Sequence, residues 1–299
     1  MSALSQLQTM TTIVADTGDL SAISRLKPVD ATTNPSLITK ALTHPDKQAM
    51  LSDTLNRFSN YGDDMIDKVI DDLTVQVGCD ILKLIDGRVS TEVDARLSYD
   101  TEATIAKAHE FMAAYERAGV DKDRILIKIA ATWQGIKAAE QLEKEGIHCN
   151  LTLIFGQHQA VACAEAGVTL ISPFVGRILD WQKREQNRQS IPVSEDMGVQ
   201  SVKRTYQYYK QHGYKTQVMG ASFRSVDQIL ALAGCDLLTI SPDLLDELAA
   251  LDTNVEQVLS ADMASETMPK VSLTEAEFSA EYEKDSITQH LLPKGIDGF

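Results

Sequence analysis

Lys128 interrupts an otherwise aliphatic run, Ile125-Leu126-Ile127-Lys128-Ile129-Ala130. A strand of that composition is covered on both faces, so the lysine has no easy path to water. Burial disfavours an ammonium ion. A neutral amine in a dry pocket is the condition for attacking a ketone to form a Schiff base. The plain alternatives are a lysine that snorkels to the mouth of the fold or one held permanently by a carboxylate. Two acids bear on the choice: Asp16 follows Ile13-Val14-Ala15, and Glu92 lies within STEVD. Schiff-base chemistry needs a proton transfer to expel water from the carbinolamine. It needs another to deprotonate a substrate hydroxyl as a carbon–carbon bond breaks. Two carboxylates on different sides of the lysine could divide that labour. Against this, Asp16 could cap the helix that follows DTGD, and Glu92 could pair with Arg88 or Arg96.

Further polar residues recur at the ends of apolar runs. Asn34 follows ATT, and Asn150 and Thr152 stand two apart in NLTLIF, so they share a face. Ser172 and Phe174 repeat that relation in LISPFV. Inward amides and hydroxyls suit a polyhydroxylated ligand, or form a polar layer that satisfies only itself. Arg177 in PFVGR, with Ser222 and Arg224 in GASFR, would suit phosphate oxygens. In an acidic protein those arginines could equally be plain surface ion pairs. No GxGxxG or Walker-type loop is present, which argues against nucleotide binding. The six histidines form no HxH or HExxH, and no metal site is expected. Trp133 and Trp181 need only packing.

These residues must be held by elements, and the elements repeat. Apolar runs at 11–15, 31–33, 88–93, 124–130, 150–155, 170–175, 216–222 and 237–241 read as strands. Amphipathic stretches between them, such as 101–119, 133–146, 158–167, 201–213 and 225–234, read as helices. All five end in glycine, and Gly119, Gly146, Gly167 and Gly213 suit a left-handed C-cap. Strand followed by helix eight times over implies a parallel sheet, and eight units favour a closed (β/α)8 TIM barrel. In such a barrel the polar residues above would meet at the C-terminal ends of the strands. Between Asn34 and Arg88 two helices are expected, the second over about 63–85, although ILKLI (81–85) also fits a strand. The polar stretch from Trp181 to Gly198 reads as a surface excursion. The N-terminal residues and those after Asp252 read as additional helices and loops, giving one barrel domain over residues 1–299.

The net charge is −15, with 43% hydrophobic and 24% charged residues. That is a globular composition whose surface repels phosphate backbones and anionic lipid, so nucleic acid and membrane are poor partners. Any anionic substrate requires a local basic site. The four cysteines form no CxxC pair and read as reduced thiols of a cytoplasmic protein. The first twenty residues lack Lys and Arg, so no signal peptide is expected. No apolar run is long enough for a transmembrane helix.

The segments TTIVADTGD, ATTNPSL, GRVSTEVDARLSYD, ILIKIAATWQGIKAAEQLEKEGI, CNLTLIF, LISPFVGRILDW and VMGASFR resemble transaldolase, in order, over roughly residues 11–242. The resemblance implies a cytoplasmic transferase of the pentose phosphate pathway that works through a Schiff base, needs no metal or organic cofactor, and acts as a homodimer. It implies transfer of a dihydroxyacetone unit from sedoheptulose 7-phosphate to glyceraldehyde 3-phosphate. The family's Schiff-base lysine falls on Lys128, its strand-one acid/base on Asp16, and its strand-three glutamate on Glu92, working through a water beside Thr152. Asn34, Asn150 and Ser172 match the residues that hold dihydroxyacetone hydroxyls; Arg177, Ser222 and Arg224 match the phosphate site. A related aldolase that releases free dihydroxyacetone carries tyrosine where this chain has Phe174, so phenylalanine favours transfer. A non-catalytic sugar-phosphate-binding barrel would be expected to lose Lys128 or a carboxylate. Two departures stand out. This chain reads FGQHQA where the family carries FSFAQA, and it ends at Phe299 where the family runs on for about another helix.

Overall fold

The computed structural model describes residues 1–263 and 266–298. Its strands are β1 (Thr12–Asp16), β2 (Asp30–Thr32), β3 (Val89–Glu92), β4 (Ile125–Ala130), β5 (Cys149–Ile154), β6 (Leu170–Pro173), β7 (Gln217–Gly220) and β8 (Leu237–Ile240). Each pairs in parallel with the next, and β8 returns to β1, closing the barrel. Every expected strand is present. Closure leaves no unpaired sheet edge.

The barrel interior is layered by the two-residue period of its strands. Val14, Leu126, Leu170, Met219 and Leu237 form a buried apolar cluster. Two residues further along four of those strands stand Asp16, Lys128, Ser172 and Thr239. The apolar layer closes the base of the barrel, so the polar layer above it faces the C-terminal end. The helices end where the sequence signals them: Gly119, Gly146, Gly167 and Gly213 all take positive φ, between 69° and 77°. A side chain there would meet the left-handed penalty that glycine avoids.

Two expectations are corrected. The region after Asn34 holds three α-helices, Pro35–Leu42, Gln48–Phe58 and Met65–Leu82, where two were expected. Pro45 disfavours a helical His44 and separates the first pair. Gly62 at φ 58° separates the second. Ile81 and Leu82 close the third helix, so ILKLI starts as helix and no strand forms. Nor is the Trp181–Gly198 stretch simply a surface excursion. Its start continues the helix Gly176–Glu185, and its end opens the helix Met197–Gln211. The connection is pinned inward. The Gln182 side chain donates to the Glu195 carbonyl and accepts from the Met197 amide, while Asp196 caps the second helix.

The terminal additions pack on opposite parts of the barrel. The helix Ala3–Leu7 lies against the helix Pro242–Ala250, with the Ala3 amide donating to the Leu251 carbonyl at 2.8 Å. The helices Glu275–Lys284 and Ser286–Asp297 follow β8 and its helix. Leu291 and Leu292 from the last of these bury against Phe155, Phe174 and Ile178, beside the upper ends of β5 and β6. Phe299 lies outside the described residues. Among the described residues no helix is long and apolar enough to cross a membrane.

Candidate active site

A cavity of about 230 Å³ opens at the C-terminal end of the strands. Asp16, Asn34, Lys128, Ser172, Phe174, Arg177, Ser222 and Arg224 all line it. Glu92, Asn150 and Thr152 are buried residues outside that lining. Glu92 and Asn150 connect to it through hydrogen bonds to lining residues.

Lys128 sits in the middle of β4 and is only 5% exposed. Parallel register places Glu92 of β3 directly beside it. The Lys128 Nζ donates to Glu92 Oε2 at 2.8 Å and to the Thr33 carbonyl at 3.1 Å. The lysine therefore does not snorkel; it meets a buried carboxylate. Glu92 pairs with neither neighbouring arginine, because Arg88 is taken by Asp30 and Arg96 by Asp94 and Asp67. Asp16 likewise escapes the capping role, which falls to Asp19 on the helix Leu20–Leu26. Asp16 Oδ1 instead accepts from Thr32 Oγ1 at 2.9 Å.

Burial pushes both acids upward. Desolvation raises Asp16 above the usual carboxylate range, against the lowering influence of Lys128, the Thr32 hydroxyl and Arg177. Glu92 is raised for the same first reason, opposed by the Lys128 charge and hydrogen bond. Two acids with elevated proton affinity flank one buried amine, an arrangement suited to proton exchange.

The polar wall is partly self-satisfied. Ser172 Oγ donates to Asn150 Oδ1 at 2.8 Å, and Asn150 Nδ2 donates to Ser90 Oγ at 3.0 Å. Asn34 spends its Oδ1 on the Leu37 amide as N-cap of the helix Pro35–Leu42, which leaves its Nδ2 donors for a ligand. Thr152 differs: its buried Oγ1 has no hydrogen-bond partner among the described residues. The residue after it, Leu153, adopts φ 56° where the β5–β6 register shifts. A bulge of this kind commonly re-aims side chains beside a site.

The arginines converge from the start of the helix Gly176–Glu185 and from the loop after β7. Arg177 stands over the Phe174 ring, its guanidinium carbon 4.8 Å from the ring centroid. Burial, and then the nearby Arg224, lower its proton affinity. Arg224 is exposed and does make the surface ion pair foreseen for it, with Asp180 at 2.8 Å. It also donates to Ser222 Oγ at 3.3 Å. Ser222 is held at φ 60°, and Gly176 brings its amide to the Ser222 carbonyl at 2.6 Å. A Cβ on Gly176 would collide with that carbonyl, so the two segments interlock only with glycine there.

Several lining residues were not singled out in the sequence: Thr32, Met219, Phe223, Thr239 and Ser241. Thr32 and Thr239 were hidden inside ATT and LLTIS, runs read only as strands. Counting by twos from the inward Asp30 on β2 and Leu237 on β8 finds both. None of the six residues of FGQHQA lines the cavity.

Fold and site together define a (β/α)8-barrel enzyme that acts on small molecules. The family model described as transaldolase/fructose-6-phosphate aldolase matches residues 13–299, and the chain belongs to that family. A protein named transaldolase from Cellvibrio japonicus is 55% identical over 300 residues, spanning 100% of this chain and 94% of its own. Transaldolases of Acidobacterium capsulatum and Thermosynechococcus vestitus are each 55% identical across the whole chain, covering 91% and 78% of their respective lengths.

Proposed function

We propose that the protein is a transaldolase that moves a dihydroxyacetone unit between sugar phosphates through a Schiff base on Lys128. One observation carries this reading: a buried lysine, flanked by the buried Glu92 and the half-buried Asp16, opens on the same cavity as two arginines. Glu92, already bonded to Nζ, takes the ammonium proton. The freed lone pair attacks the ketose C2 carbonyl, a proton passes from the nitrogen to the resulting alkoxide to give the carbinolamine, and Glu92 returns its proton to that hydroxyl, which leaves as water and leaves an iminium on Lys128. The Thr152 hydroxyl, buried without a partner among the described residues, holds that water in this reading. Asp16 then removes the proton from the C4 hydroxyl. The C3–C4 bonding pair flows into the iminium, leaving an enamine on Lys128 and releasing an aldose phosphate. An incoming glyceraldehyde 3-phosphate reverses the steps. Asn34, Asn150 and Ser172 hold the hydroxyls of the three-carbon unit, and Arg177, Ser222 and Arg224 hold the phosphate.

Phe174 supports transfer over release of free dihydroxyacetone. Its ring packs against Phe155 at 5.8 Å and under Arg177, and it brings no hydroxyl to activate water on the enamine. The reading includes one barrel domain over residues 1–299, working in the cytoplasm as a homodimer. Four unpaired cysteines, three of them buried, suit a reducing compartment. Sedimentation of the purified protein tests the dimer.

The test of the chemistry is borohydride reduction in the presence of fructose 6-phosphate, with peptide mapping. A three-carbon adduct on Lys128 is expected; none, or one on another lysine, overturns the mechanism. The phosphate role has its own test. Arg224→Ala should raise KM for phosphorylated acceptors about tenfold or more while leaving unphosphorylated acceptors nearly unaffected. An equal loss for both classes would refute it.

A further inference from the structure

Asp16 is flanked by two hydroxyls that form a chain. On one side β2 sets Thr32 beside it in register; on the other β8 pairs with β1 and carries Thr239. Thr32 Oγ1 donates to Asp16 Oδ1 at 2.9 Å, and Thr32 Oγ1 and Thr239 Oγ1 lie 2.6 Å apart. A threonine hydroxyl has one proton. While Thr32 gives its proton to Asp16, the second contact is Thr239 donating to Thr32. Both threonines are buried, 3% and 4% exposed, and both line the cavity. Linked donors polarise one another, so the outer hydroxyl strengthens the inner bond.

We propose that Thr239 and Thr32 act as a two-hydroxyl relay that positions Asp16, fixing its Oδ1 so that proton exchange with the substrate hydroxyl falls to Oδ2. The proposal rests on the Schiff-base reading above and adds two positioning residues to it. The relay holds the rotation of a carboxylate that must meet one particular hydroxyl, and displacement of such a group by an ångström costs about a hundredfold in rate. It also favours the ionised form that acts as base, since a donor to a carboxylate lowers its proton affinity. The charged groups facing Asp16 are Lys128 from β4, Glu92 from β3 and Arg177 from the helix after β6, and none is altered by changing the threonines.

The experiment uses the full chain with fructose 6-phosphate and erythrose 4-phosphate. It compares Thr32→Val, Thr32→Ser and Thr239→Val with the unaltered protein, and reads kcat, KM, the pH profile and borohydride trapping. Thr32→Val should lower kcat by about 10- to 100-fold with KM changed less than about threefold. The acidic limb of the kcat profile should move to higher pH, because Asp16 loses a donor. Thr32→Ser should restore kcat to within about threefold. Thr239→Val should move kcat and the acidic limb in the same direction by less, and should add nothing in a Thr32→Val background. All variants should still trap the adduct on Lys128. An unmoved acidic limb in Thr32→Val, or no rescue by serine, overturns the relay. Should Thr32→Val fail to fold, Thr239→Val decides in its place, an unmoved limb again overturning the proposal. Absence of trapping in the unaltered protein would instead overturn the reading beneath it.

Discussion

Lys128→Ala is expected to abolish borohydride trapping with fructose 6-phosphate and to lower kcat by about 10⁴-fold or more. Loss of a covalent nucleophile removes the whole pathway, not one contribution to it. The protein should still fold. Removing one partner of a buried ion pair usually strands the other charge. Here Glu92 already has raised proton affinity from burial, so it can take up a proton and sit neutral once the lysine has gone. Circular dichroism should therefore match the unaltered protein while mass spectrometry finds no adduct. Retained trapping, on any other lysine, would remove Lys128 from the chemistry.

Asp16→Asn should separate two halves of the reaction. In the mechanism proposed above, imine formation relies on Lys128 and Glu92, so trapping should persist. In the proposed mechanism carbon–carbon cleavage relies on Asp16, so kcat should fall by about 10²- to 10⁴-fold. The same change should raise Tm at neutral pH by roughly 2–4 °C for each kcal/mol gained. Its pH dependence follows from the raised proton affinity of Asp16. Under strongly acidic conditions the carboxyl is protonated in both folded and unfolded chains and contributes no difference. As pH rises past the ordinary carboxylate range, the unfolded chain releases its proton first. Folding is then coupled to proton uptake, so stability falls with pH until Asp16 ionises in the folded state as well. Asparagine has no such step. The variant's Tm advantage should thus be smallest at acidic pH, widen as pH rises, and then level off. A constant difference, or loss of stability at neutral pH, would contradict the picture of a carboxylate held against its preference.

The eight strands were legible because each is a short apolar run followed by an amphipathic stretch, and four terminal glycines punctuate the helices. Lys128 was legible because it breaks a hydrophobic pattern. The region between Asn34 and Arg88 was less so: its breaks lie at Pro45 and Gly62, inside stretches whose periodicity alone runs on. The partners of charged residues were not legible at all. Arg88 and Arg96 stand close to Glu92 in sequence, yet parallel register hands Glu92 to Lys128 across the strand pair. Thr32 and Thr239 lie 207 residues apart and meet because β8 closes on β1. Closure is a property of the whole sheet, and no local window contains it. The composition is silent on the site in the same way: a chain of net charge −15 gathers Lys128, Arg177 and Arg224 around one cavity.

The size of that cavity has a consequence for the order of events. At about 230 Å³ it lies below the roughly 300–1,000 Å³ of pockets that take drug-sized ligands. A cavity of that size, with one set of arginines at its lining, suits one small phosphorylated ligand at a time. In the proposed mechanism donor and acceptor then occupy the same space by turns. In the proposed mechanism the first product departs before the next reactant enters, and between the two visits the protein is itself the carrier, with a three-carbon fragment on Lys128 as the record that half a turnover has been completed.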